Sequence, residues 1–142
     1  MSKFVTKTVE GIIGKKKYEQ LVILPDSADI MKIDLATING IWDEYQETLE
    51  AKYEGSFYGL LSIMNRDANM QPLSEGKFKD VTPHGELVKE YEIKYQYLRA
   101  YAIKIPNGKL ILLGGYKNQQ KNDFTQFRSL EKQYLESLKS KK

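Results

Sequence analysis

The sequence predicts an α+β domain: a small antiparallel meander carrying two N-terminal helices and a C-terminal helix on one face, with an extra β-hairpin ahead of it. Three observations point there. Between about residues 87 and 117, apolar positions alternate in runs interrupted by Asn107-Gly108, the pattern of paired half-buried strands. Apolar residues recur at helical spacing in 38–49, 57–64 and 124–138, as amphipathic helices require. The chain has 142 residues, 41% hydrophobic and 29% charged, enough apolar material for one domain with its own core and too much for a disordered chain.

Taken in order, residues 4–13 and 17–24 are strand-like runs around Gly14-Lys15-Lys16, a first hairpin closed off by Pro25-Asp26-Ser27. Residues 1–30 thus form an N-terminal extension of a single domain spanning 1–142. Ile38, Ile41, Trp42, Tyr45 and Leu49 define one helical stripe, with Thr37 or Asp34 as N-cap, since a short oxygen-bearing side chain can accept from the free N–H groups of a first turn. Gly55-Ser56 interrupts it before a second helix bearing Phe57, Leu60, Leu61 and Met64. A polar connection, 65–80, leads to the sheet. The last helix is capped by Asn122 or Asp123 and buries Phe124, Phe127, Leu130, Tyr134 and Leu138.

Composition narrows the chemistry. There are no cysteines and one histidine, His84, in a Pro-His-Gly turn, so thiol chemistry, a zinc cluster and a Ser-His-Asp arrangement find no support. Gly114-Gly115 has neither the phosphate-loop nor the dinucleotide spacing. No apolar run approaches the roughly 18 residues of a membrane span, and no charged-then-apolar leader is seen; the expectation is a cytoplasmic protein without a membrane contact. The net charge of +3 hides an asymmetry. Residues 1–76 hold 8 Lys/Arg and 12 Asp/Glu, or −4, whereas 77–142 hold 14 and 7, or +7. A basic half of this kind is suited to a polyanion such as RNA, although a solvated lysine-rich surface has the same composition.

The Asn107-Gly108 pair predicts a type I′ hairpin in which Ile105 faces Leu110, Ile103 faces Leu112 and Arg99 faces Tyr116. Arg99 and Tyr116 then become cross-strand neighbours, with Lys117, Gln120 and Lys121 just beyond. Arginine binds phosphate through a two-pronged fork, tyrosine offers a ring for a base, and lysine can move a proton when its pKa is lowered. Such a group could cleave RNA without a metal: the ribose 2′-oxygen attacks the neighbouring phosphate while Arg/Lys stabilise the pentavalent charge. An ordinary amphipathic strand end with solvated lysines would give the same spacing.

The segments KFKDVT (77–82), ELVKEYEIKY (86–95), LRAYAIK (98–104) and NGKLILLGGYKNQQKND (107–123), followed by a final helix, together resemble the RelE/HigB superfamily of toxin–antitoxin toxins, closest to its phage-associated HigB-like branch. The resemblance covers about 77–138, and the helix pair of 37–66 fits the family's order. It implies a small ribonuclease without cofactors that cuts mRNA on the ribosome and is inhibited by a co-encoded antitoxin, often a helix-turn-helix DNA-binding protein. Carried over by motif, Arg99 is the phosphate ligand. Lys94 closes the Tyr-Glu-Ile-Lys motif that Tyr91 opens, and Lys117, Gln120 and Lys121 fall in the catalytic, RNA-contacting loop. Tyr116 stands at a stacking or structural position, and Lys77 and Lys79 lie in the upstream basic stretch. The resemblance therefore implies catalytic roles for Arg99, Lys94, Lys117 and Lys121, with Tyr116, Gln120, Tyr91, Lys77 and Lys79 binding the RNA. The loop departs from the family pattern at Asn118, Gln119 and Asn122-Asp123, which leaves open a relative that binds RNA, the ribosome or a partner without cleaving.

Overall fold

A computed structural model describes residues 3–139. The class is α+β, but the sheet is larger than predicted and mixed. It has six strands: β1 (Lys3–Thr8), β2 (Lys17–Leu24), β3 (Phe78–Asp80), β4 (Glu90–Tyr95), β5 (Leu98–Ile105) and β6 (Gly108–Tyr116), in the order β1-β2-β6-β5-β4-β3. The N-terminal hairpin is present, with a longer connection than predicted because Val9 to Lys16 leaves the strand conformation. It joins the main sheet through β2, which runs parallel to β6 from Lys17↔Gly108 to Gln20↔Ile111. All other pairings are antiparallel.

The three helices are α1 (Ile41–Thr48), α2 (Glu54–Ala68) and α3 (Gln120–Lys139). Contrary to the expectation of one covered face, α1 and α2 pack on one side of the sheet and α3 on the other. Leu98, Ala100 and Ala102 of β5 meet Trp42, Tyr45, Phe57, Leu60 and Met64. The intervening Tyr101 and Ile103 meet Phe127 of α3. β5 is buried without interruption from Leu98 to Ile103, as a strand covered on both faces must be. Trp42 and Phe57 stack at 5.0 Å, and Phe124 meets Tyr101 edge-on at 5.1 Å, both geometries favoured by ring quadrupoles.

The start of α1 is capped from a distance. Neither Thr37 nor Asp34 caps it; Asp34 serves a separate short turn at Leu35–Thr37. The side-chain oxygen of buried Gln20, on β2, accepts from the N–H groups of both Trp42 and Asp43 at 3.0 Å. Gly40 permits this approach, because a Cβ there would overlap the Gln20 amide. The far end of α2 is tied to the sheet by Asp67, which accepts from Tyr18 Oη and Lys109 Nζ at 2.6 Å each. Lys109 lies 5.0 Å above the Tyr91 ring and 5.1 Å above Phe78, so its charge is held by a carboxylate and aromatic faces together. α3 begins before the predicted caps: Gln120 is already helical, and Asp123 instead accepts from Tyr116 N–H at 3.1 Å.

The β5–β6 register differs from the prediction in two ways. Pro106 and Asn107 occupy the turn, closed by Ile105↔Gly108. Asn107 has φ of 63°, while Gly108 lies outside the left-handed region. A fixed proline followed by a residue at positive φ is a type II arrangement, and proline suits the turn because it has no N–H to give to a ladder. Further along, Tyr101 opposes Leu113 while Ala102 opposes Ile111. Leu112 is therefore an extra residue, a β-bulge that reverses the alternation of everything after it.

Candidate functional site

The bulge decides which side chains meet. Arg99 pairs with Gly115, and Tyr116 pairs with Leu98, so Arg99 faces α3 while Tyr116 faces α1 and α2. The predicted contact between them does not form. Tyr116 packs instead among Tyr45, Tyr53 and Tyr97, with ring centroids 5.9, 6.4 and 5.7 Å away. Burial, then the neighbouring Tyr53 and the Glu50 charge, push its hydroxyl pKa up.

On the α3 face, the open end of the sheet forms a cationic pocket. Lys94 pairs directly with Arg99 across β4 and β5. Lys77, on the connection into β3, accepts the Lys94 N–H through its carbonyl at 2.8 Å. Gly76, Lys77, Lys94, Tyr95, Gln96 and Arg99 enclose about 300 Å³. The Arg99 side chain is largely buried, at 8% exposure. Its Nη1 donates to the carbonyls of Gln96 and Leu98 at 2.8 Å each, whereas buried Nε has no partner. No carboxylate forms an ion pair with Arg99, Lys94 or Lys77 among the described residues. A near-buried guanidinium without a counter-ion is costly and favours an oxyanion ligand.

On the same face of the sheet, the start of α3 is tied to β4. Gln120 donates to Glu92 at 2.7 Å, and Tyr101 Oη donates to the same carboxylate at 3.2 Å. Glu92 shares a face with Lys94, about 7 Å along the strand. The Tyr101 hydroxyl is pushed up by burial and by the Glu92 charge. The Asp123 carboxyl is raised, chiefly by burial, against the lowering effect of the Tyr116 N–H. Gly115 makes room for this carboxylate, which a Cβ would strike.

Of the residues singled out in the sequence, Arg99, Lys94 and Lys77 come together. Lys79 is exposed on the same face, opposite Glu92. Lys117 and Lys121 are exposed around the first turn of α3, outside the pocket lining, as is Gln120, whose amide is engaged by Glu92. Tyr91 lies on the other face, against Phe78 at 5.2 Å and beneath Lys109. Gln96, Tyr95 and Gly76 were not anticipated as lining residues. Gln96-Tyr97 is the β4–β5 turn, yet it has no glycine, proline or asparagine to mark it. Among the described residues no group of three or more His, Cys, Asp or Glu is arranged to hold a metal, and no helix is long and apolar enough to cross a membrane.

These features define an α+β protein with a cationic pocket at one end of its sheet. No family model, curated protein or solved structure matches the chain.

Proposed function

We propose that this chain binds RNA through the Arg99–Lys94–Lys77 pocket and cleaves it there, as an endoribonuclease toxin of the RelE/HigB type acting on translated mRNA. The observation that carries this reading is Arg99: a guanidinium almost out of water, lacking a carboxylate, beside two lysines. The sequence resemblance and the order of helices and strands support the same class. A phosphodiester would meet the Arg99 fork and the two ammonium groups, as charge-assisted bonds require.

In the proposed reaction the ribose 2′-oxygen attacks the adjacent phosphorus and the bond to the 5′-oxygen breaks. The products are a 2′,3′-cyclic phosphate and a 5′-hydroxyl. Arg99 neutralises the pentavalent oxygens, and Lys94 delivers a proton to the departing 5′-oxygen. The 2′-hydroxyl proton is released to solvent water, and Lys121, exposed on the first turn of α3 outside the pocket lining, contacts the RNA backbone. A cytoplasmic antitoxin would inhibit by covering this end of the sheet.

A second reading is RNA binding without cleavage. It is favoured by one arrangement: Gln120 is engaged by Glu92, and Lys117 and Lys121 stand outside the pocket. Inducible bacterial expression of wild type and Arg99→Ala, with primer extension on a translated reporter, separates the two. Growth arrest with cuts inside codons, lost in the variant, supports the nuclease. Salt-sensitive RNA binding without cuts supports the binding module. RNA affinity and cleavage untouched by Arg99→Ala would remove the pocket from both.

A further inference from the structure

Gln96 has φ of 53°, a left-handed conformation that residues other than glycine and asparagine seldom adopt. Strained backbone of this kind persists only where its surroundings impose it. Here two contacts do so. The Gln96 side-chain oxygen accepts from Ser56 Oγ of α2, a buried hydroxyl. The Gln96 carbonyl accepts from Arg99 Nη1 at 2.8 Å. Gln96 itself lines the cationic pocket. A chain of contacts thus runs from the helix on one side of the sheet, around the β4–β5 turn, to the guanidinium on the other.

We propose that Gln96 is a positioning residue: pinned by Ser56, its turn holds Nη1 of the Arg99 guanidinium on the Gln96 and Leu98 carbonyls and so fixes how the guanidinium faces the pocket, where a phosphate would bind. The inference rests on the reading of Arg99 as the phosphate ligand. Without the pin, the turn carbonyl would swing and the guanidinium would sample several orientations. A displacement near 1 Å is enough to cost roughly a hundredfold in a preorganised site.

Substitutions at this turn separate positioning from stability. Glycine accepts positive φ without strain, so Gln96→Gly leaves the thermal midpoint equal or higher while releasing the carbonyl. Asparagine accommodates the left-handed region and retains a constrained turn, so Gln96→Asn keeps most of the function. The measurement is binding of a fluorescent single-stranded oligoribonucleotide across a salt series, for wild type, Gln96→Gly, Gln96→Asn, Ser56→Ala, Arg99→Gln and the Gln96→Gly/Arg99→Gln double variant. Expected are a roughly tenfold or greater weakening in Gln96→Gly and a salt slope lower by about 1, as in Arg99→Gln. Ser56→Ala weakens binding less, and the double variant binds no worse than Arg99→Gln alone. If Arg99→Gln weakens binding but Gln96→Gly matches wild type, or if the two losses add in full, the positioning role is overturned and the phosphate pocket stands. If Arg99→Gln itself changes neither affinity nor slope, the underlying reading of the pocket fails.

Discussion

Lys94 of β4 and Arg99 of β5 are direct cross-strand partners on the same face of the sheet, and neither forms an ion pair among the described residues. Like charges set opposite each other destabilise an antiparallel pair. Their placement is therefore a local cost to folding that an anion would offset.

The consequence is a trade between stability and binding at one residue. Lys94→Gln should stabilise the free protein by about 0.5 kcal/mol at low salt and weaken binding to single-stranded RNA. Urea titrations at two salt concentrations, alongside RNA binding isotherms, measure both. A variant that is less stable and binds RNA as well as wild type would contradict the role given to this pair.

Glu131 of α3, beside Glu90 of β4, provides a pH signature. It is buried against Glu90, and Arg128 Nε reaches Glu90 at 3.1 Å. Burial first, then hydrogen bonding to Glu90 and the charges of Glu90 and Glu86, against the lowering effect of Arg128, push the Glu131 pKa from 4.5 to about 8. Between those values the folded chain keeps a proton that the unfolded chain releases, so this contribution to stability falls as pH rises. It is complete below about 4.5, declines across the window and is gone above about 8. The Tm difference between Glu131→Gln and wild type should therefore grow in favour of the variant from pH 5 to about 8.5, in the direction required by linkage. A constant difference would show that Glu131 is ionised in the folded chain.

The C-terminus of α2 carries an avoidable strain. Gln71 N–H bonds to Arg66 O and Met70 N–H to Asp67 O, both at 2.9 Å, the pairing of a Schellman motif. Its left-handed position is held by Met70 at φ 58°, an exposed side chain. Met70→Gly should raise stability by about 1 kcal/mol, because the Cβ penalty of the left-handed region disappears. Denaturant midpoints with an unchanged slope would establish this; a loss of stability would mean that the methionine side chain contributes packing.

Gln20 makes the opposite case. Its amide oxygen serves two N–H groups at the start of α1, so Gln20→Ala should destabilise by about 1–2 kcal/mol. Hydrogen exchange should locate the loss in the first turn of α1. Protection of Trp42 and Asp43 amides at the wild-type level would exclude the cap.

Much of the architecture was legible in the residues. The helical stripes around Trp42, Phe57 and Phe127 mark three amphipathic helices whose cores are those side chains. The first hairpin was visible from β-branched runs on either side of Gly14-Lys15-Lys16, and the strands of 87–117 from their alternation. Arg99 was identifiable as a phosphate ligand candidate by its chemistry and motif position, and Lys94 and Lys77 as separate cationic candidates, but the reading set Arg99 beside Tyr116 and not beside these two lysines. Gln96 left no trace, because its turn lies in the tyrosine-rich run Tyr95-Gln96-Tyr97, which looks like continuous strand.

What the sequence determined by itself was periodicity and charge: α+β elements in order, a basic C-terminal half and the cations available to an anion. The tertiary structure decided which of those cations share a surface. Ile111-Leu112-Leu113 is apolar on every position and so contains no local instruction about facing; packing against helices on both sides placed one extra residue there. That single residue carried Tyr116 to the opposite face from Arg99. Likewise Gln20 became the cap of a helix 22 residues away, because a free N–H group is satisfied by whichever oxygen the fold brings near it.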